Sequence, residues 1–250
     1  MSSLKKKQKV IAIIPCRSGS KGVKDKNILK LFGKPLIYYS ILFAKSCNFI
    51  DRVIVSTDSK KYAMIAKKLG AEVPVLRPKK ISKDNSLDIE LFKHMINFLK
   101  KKEKYNPDIV IHLRPTNPIR KVKIMKKAFN TLVIKKNISS VRSISKLPKN
   151  IYKCFYLNNE NILEAVAKKF INNKEFFNLP RQRLPNSYYL NGIYDVFRAK
   201  LIKQNMISGK KIYGIVTKEN LDIDTNEDVK IAKAKKRIFN NFKRYIHNLI

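Results

Sequence analysis

Apolar residues along this chain follow two alternating rhythms. VIAII (10–14) is continuously apolar and β-branched, as in a strand buried on both faces. PLIYYSILFAKSCN (35–48) has helical spacing, with Pro35 suited to a first turn. RVIVST (52–57) reads as the next strand and KKYAMIAKKLG (60–70) as a helix closed by Gly70, and EVPVLR (72–77) is expected to be a third strand. SLDIELFKHMINFLKKKEK (86–104) places Leu87, Leu91, Met95 and Phe98 on one helical face, with Ser86 as N-cap and Asp88 and Glu90 in the first turn. DIVIHLR (108–114) is a strand, and VKIMKKAFNTLVIKK (122–136) is a helix. This alternation predicts an α/β chain with a largely parallel sheet covered on both faces. Ligands then bind beyond the carboxyl ends of the strands.

The rhythm changes near residue 145, where short aromatic-rich segments are separated by NN, LP and NS turns. These read as short strands or a small projecting arm. Strand spacing returns with KIYGIV (211–216), and a terminal helix runs from about 226. Thr225 and Asp228 form a T-x-x-D cap for it.

Composition narrows the class. With 250 residues, 44% of them apolar, the chain can build a proper core. Cys16, Cys47 and Cys154 are odd in number and widely spaced, which argues against a disulfide framework or zinc site. The basic N-terminus precedes an apolar run too short for a signal peptide, and no stretch reaches membrane-span length, so no membrane is expected and the reading is cytoplasmic. The net charge of +37 invites a nucleic-acid partner. The lysines are spread along the whole chain, however, without the clustered arginines and interleaved aromatics of a recognition surface.

The chemistry concentrates in two segments. PCRSGSKGVKDKN (15–27) opens from an apolar strand into Gly, Ser, Arg and Lys, the residue types that cradle an anion. Its spacing fits neither the G-x-x-x-x-G-K-[ST] loop nor the dinucleotide G-x-G-x-x-G pattern. In DIDTNED (222–228), Asp222 and Asp224 alternate by two, so an extended backbone puts both carboxylates on one side. They would suit a hard cation such as Mg²⁺ beside phosphates, or would cap the terminal helix. Asp58 would be a site residue or the N-cap of the following helix. His94, His112 and His247 lack metal-ligand spacing.

Four segments together carry a resemblance: IAIIPCRSGSKGVKDKNI (11–28), VIVSTDSKKYAMIAKKLGAEV with RP following (53–78), LRPTNPIR (113–120), and the pair YLNGIYDV (189–196) and DIDTNEDVKIA (222–232). In that order they resemble the acylneuraminate cytidylyltransferases over nearly the whole chain. The resemblance implies a Rossmann-like nucleotidyltransferase fold with a small dimerisation arm. It divides the chain into a nucleotide-binding core (8–145), an arm (146–188) and a return to the core with the metal segment and C-terminal helix (189–250). The implied reaction joins CTP to an acidic nine-carbon 2-keto sugar, with Mg²⁺, in a homodimer.

Residue by residue, the resemblance implies Arg17, Lys26 and Asp224 as catalytic. It implies Ser18, Gly19, Ser20, Asn27 and Arg77 beside them on the nucleotide, with Asp84 and Ser86 as site or loop residues. Asp222 and Asp224 would hold the metal. Arg114, Thr116, Asn117, Arg181, Gln182, Tyr189 and Asn191 would meet the sugar. Arg114 stands where the best-known sialic acid enzymes carry Gln, which leans toward a bacterial relative such as legionaminic acid; its fork would suit a carboxylate. Cys16 stands where alanine is usual and reads as a small buried residue. The competing readings are a cytidylyltransferase for the eight-carbon sugar Kdo and a non-catalytic basic nucleic-acid-binding relative.

Overall fold

The computed structural model describes residues 7–170, 175–218 and 221–248. In chain order its elements are β1 (Val10–Pro15), β2 (Lys30–Leu31), β3 (Lys34–Pro35), α1 (Leu36–Lys45), β4 (Arg52–Ser56), α2 (Lys60–Lys68), α3 (Asp88–Glu103), β5 (Ile109–His112), α4 (Val122–Ile134), β6 (Ser140–Lys146), β7 (Phe155–Leu157), β8 (Leu163–Ala165), β9 (Tyr188–Arg198), β10 (Ile212–Val216), α5 (Asn226–Ala234) and α6 (Lys236–His247). The central sheet has six strands in the order β10-β6-β9-β5-β1-β4. β1 lies parallel to both β4 and β5, and β9 runs antiparallel to β5.

The continuous apolar run of β1 has a direct cause. Val10, Ala12 and Ile14 enter one core, packed with α1, α2, α4 and the terminal helices, while Ile11 and Ile13 enter a second core under α3. Both faces are buried, so alternation vanishes from the sequence. Because β1, β4 and β5 are parallel, their carboxyl ends open onto one edge, where the following loops gather.

Four local expectations change. EVPVLR forms no strand: its pairing with the sheet is a single bridge, Ile54 to Glu72, before Pro74, which has no N–H to give a ladder. The N-cap of α3 is Leu87, not Ser86; its N–H donates to the Glu90 carboxylate at 2.8 Å, while Ser86 Oγ accepts from the Lys83 N–H. The buried stripe of α3 is Leu91, Phe92, Met95 and Leu99, leaving Leu87 66% exposed. The terminal helix is two helices, broken at Lys235.

The chain divides into two compact units. The first holds 1–142, 192–215 and 220–250; the second holds 143–191 and 216–219. In the second, β7 and β8 pair antiparallel, with Phe155 opposite Ala165. The Asn158 side chain accepts from Glu160 and Ile162 N–H groups to shape their turn. Phe176 is the buried centre of that unit, against Tyr152 and Phe177.

Candidate active site

The loop after β1 is shaped from within. Gly19 adopts φ +70°, a left-handed conformation that costs glycine little. Asn27 Nδ2 donates to the Arg17 carbonyl at 3.0 Å and ties the two ends together. Ser18 is not free for an anion: its N–H and Oγ donate to the Asp58 carboxylate at 2.8 and 2.6 Å. Asp58 therefore anchors this loop rather than capping α2, whose cap is Ser59. Burial opposes its ionisation, but the hydrogen bonds from Ser18 hold its pKa below the usual carboxylate value.

Asp84 pairs with Arg17 and stands 3.0 Å from the Lys21 ammonium. The hydrogen bond from Lys21, with that from Arg17, holds its carboxyl below the ordinary range. Lys26 Nζ lies 2.5 Å from Asp224 Oδ1. Next to it, a Cβ on Gly22 would come within 2.7 Å of the Asp224 carbonyl oxygen, so only glycine lets the loop seat against the 222–224 segment.

That segment is extended, as the spacing predicts. Ile223 is fully buried and its N–H donates to the Thr116 carbonyl at 2.9 Å, while Asp222 and Asp224 both line the cleft. The alternative in which they cap the terminal helix is closed by Thr225, whose Oγ1 accepts from the Asp228 N–H while Asp228 accepts from the Thr225 N–H. Asn117 Nδ2 donates to Asp222 Oδ1 at 3.2 Å. Burial, and then the Asp224 charge, raise the Asp222 pKa above the ordinary aspartate value.

Together these residues bound a cleft of about 500 Å³ in the first unit. Its walls include Arg17, Ser20, Lys26, Asn27, Arg77, Ser86, Arg114, Thr116, Asp222 and Asp224 from the expected set. Ser18, Gly19, Asp84 and Asn117 support those walls without lining them. Lys21, Gly22, Lys83, Asp88 and Leu91 also line it, with no motif to mark them beyond a basic loop and an acidic first turn. Arg77 is 5% exposed and donates to the Ser56 carbonyl at 3.3 Å. Its Nε has no partner among the described residues.

Behind the cleft lies a charge network that motif reading missed. Arg114 donates to Asp195 at 2.8 Å and to Asp88 at 3.2 Å, so its fork is occupied within the protein. Arg142 donates twice to Asp195 as well. Asp195 is nearly fully buried, which opposes ionisation, yet Arg142 and Arg114 hold its pKa below the usual value. Gly192, at φ +66°, keeps room for Arg114, whose Nη1 lies 2.8 Å from where a Cβ would stand. Arg120 is buried and ties the Ile193 and Arg114 carbonyls together at 2.9 and 2.7 Å. His112 is buried beside Phe92, and desolvation pushes its pKa down to about 3, so the ring is neutral.

In the second unit, Arg181 and Gln182 line a cavity of about 210 Å³ with Lys146, Asn150 and Ser187. Asn191 is held by Ser143, Ser145 and Thr217, and Tyr189 lies on β9 beside it. Among the described residues no group of three or more His, Cys, Asp or Glu could hold a metal, and no helix is long and apolar enough to cross a membrane.

An N-acylneuraminate cytidylyltransferase of Escherichia coli is 41% identical over 112 residues, which are 45% of this chain and 25% of that longer protein. The CMP-N,N'-diacetyllegionaminic acid synthase of Legionella pneumophila is 33% identical over 202 residues, 70% of this chain and 86% of that protein. The pseudaminic acid cytidylyltransferase of Campylobacter jejuni is 29% identical over 228 residues, 90% of this chain and 95% of that protein. A solved CMP-2-keto-3-deoxy-manno-octonic acid synthetase in complex with CTP superposes with a TM-score of 0.67 at 13% identity, over 91% of this chain and 98% of that one, which bears on the fold alone. The sequence model described as "Cytidylyltransferase" matches residues 11–241, and the chain belongs to that family.

Proposed function

We propose that this protein transfers the cytidylyl group of CTP to an acidic nine-carbon 2-keto sugar, giving the CMP-sugar and pyrophosphate. The observation that carries the reading is the cleft itself, in which Arg17, Lys26 and Arg77 share the walls with Asp222 and Asp224. The names of its relatives, which act on sialic, pseudaminic and legionaminic acids, support a sugar of this class.

In the proposed reaction the anomeric hydroxyl oxygen of the sugar forms a bond to the α-phosphorus of CTP. The bond from that phosphorus to the β-phosphate oxygen breaks, and the hydroxyl proton passes to solvent. Arg17 and Lys26 exchange their carboxylate partners for phosphate oxygens and stabilise the charge that grows on pyrophosphate. Backbone N–H groups around Ser20 complete the cradle, with Arg77 and Ser86 on the nucleotide.

Asp222 and Asp224 fit Mg²⁺: two carboxylates on one edge of a phosphate cleft suit an ion that fills its shell with phosphate oxygens and water. Burial, and then the Asp224 charge, raise the Asp222 pKa, and a cation there would offset that repulsion. When bound, the ion supplies charge neutralisation at the phosphates. His112 is not the base, being buried behind Asp88.

Two further parts complete the reading. Tyr156, Leu157, Ile162 and Leu163 are 55–64% exposed on the β7–β8 hairpin, an apolar surface suited to pairing two copies. Dependence on CTP fits work in the cytoplasm.

The test is pyrophosphate release from CTP and Mg²⁺ with N-acetylneuraminic, diacetyllegionaminic, pseudaminic and Kdo acids, against ATP, GTP and UTP. Release with a nine-carbon acid and CTP is expected. Release with Kdo alone would replace the sugar class, and silence from folded protein would overturn the reading.

A further inference from the structure

Arg114 is positioned to meet an anion, but its partners leave it none of the freedom that role needs. Nη1 donates to Asp195 Oδ2 and Nη2 to Asp88 Oδ2, while Arg142 brings a second guanidinium to Asp195. Two guanidiniums thus face two carboxylates, while the buried Arg120 beside them is bonded to the Ile193 and Arg114 carbonyls. A substrate carboxylate brought to Arg114 would either displace Asp88 or stand beside it as a like charge.

Asp88 is the acid of this network that lines the cleft. Its side chain is 38% exposed against 4% for Asp195, and the bond from Arg114 falls on Oδ2. It sits in the first turn of α3, where the helix N-terminus favours a carboxylate.

The strip 114–116 connects Asp88 to the metal segment. Arg114 reaches Asp88 at one end, and at the other the Thr116 carbonyl accepts the Ile223 N–H, between Asp222 and Asp224. On the function proposed above, the attacking hydroxyl lies beside Asp222 and Asp224. The body of the sugar then extends along this strip toward Asp88.

We infer that Asp88 binds the acceptor sugar by accepting a hydrogen bond from an uncharged O–H or N–H donor, and that Arg114 is a positioning residue that holds Asp88 in place rather than a ligand of the sugar's carboxylate. The inference rests on the cytidylyltransferase reading of this cleft.

Its test turns on a sign. Asp88→Asn keeps the side chain's shape and removes its charge. If Arg114 were the carboxylate ligand, this change would free its fork and lower KM for the sugar. The expected result is the reverse: KM for the sugar rises about tenfold or more, as for loss of a hydrogen bond to a charged group, and KM for CTP stays unchanged. Arg114→Gln should also raise KM for the sugar, yet add nothing further in the D88N background, because it acts through Asp88.

An unchanged or lowered KM for the sugar in D88N overturns the inference. So does a raised KM for CTP with admission of UTP, which would make the donor the cytosine amine. Multiplying losses in the double variant would return Arg114 to the sugar. Thermal unfolding of each variant, with Asp88→Ser as a second replacement, separates lost binding from lost fold. Wild-type turnover is the control: its absence would overturn the proposed reaction, whereas a normal D88N profile would overturn the assignment of Asp88 alone.

Discussion

Lys26 and Asp224 are 198 positions apart in sequence, and their charged groups meet at 2.5 Å. The pair joins the loop after β1 to the segment before α5 and closes one wall of the cleft. Asp224 remains 60% exposed, so its charge serves the cleft more than the core. Replacing Asp224 with Asn should cut turnover by about 10²–10³-fold, the scale of a lost transition-state charge contact, with thermal stability nearly unchanged. Steady-state kinetics on protein checked by circular dichroism decides this; full turnover would remove Asp224 from the machinery.

Gly22 sits against the same segment. An alanine there would put Cβ 2.7 Å from the Asp224 carbonyl oxygen, a contact backbone cannot relieve cheaply. Gly22→Ala should therefore raise KM for CTP and lower kcat while the protein still folds. Gly19→Ala, with open space around the added carbon but a φ of +70°, should act through loop stability instead. Comparing KM and melting temperature for the two variants separates the effects.

Asp195 holds two arginines in a nearly dry site. Asp195→Asn should destabilise the protein by about 3 kcal/mol, because it leaves the mostly buried Arg142 without its carboxylate and Arg114 with Asp88 alone. The pH dependence follows from the direction of the shift. Its folded pKa lies below the unfolded value, so the stabilisation is present above the unfolded value and lost as pH falls through the folded one. Urea unfolding from neutral to acid pH should show a steep acid loss in the wild type and a shallower one in D195N.

Asp222 moves the other way. Burial and the Asp224 charge raise its pKa, so its ionised form is disfavoured in the free protein. Carboxyl NMR should find it titrating above an ordinary aspartate. The D224N change should bring it down, and so should Mg²⁺. An ordinary titration in all three states would break the link between these carboxylates.

The β7–β8 hairpin exposes Leu157 and Leu163 at 63% and 60%. If two copies pair through this surface as proposed, Leu163→Asp should give a monomer in light scattering without lowering the melting temperature, since a charge at an exposed position costs the folded monomer little. A wild type that is already monomeric would remove pairing through this surface.

Local pattern determined most of the elements here. The apolar run of β1, the cap formed by Thr225 and Asp228, and the two-residue alternation of Asp222 and Asp224 are short-range consequences of side-chain type and backbone period, so they were legible in the sequence. Arg17, Lys26 and the two aspartates were marked by the resemblance and by residue type, and the fold brings all four to the walls of one cleft. EVPVLR was not legible as a non-strand, because apolar composition suggests a ladder while a single proline withdraws it. Partnership was beyond the sequence altogether. That Arg17 rests on Asp84, that Ser18 is tied to Asp58, and that Arg114 is neutralised by Asp195 and Asp88 depends on which loops the parallel strands bring to one edge. A charge carries no mark of its partner until the chain folds, and the fold decided which cations in this lysine-rich protein line the cleft and which carboxylates they meet there.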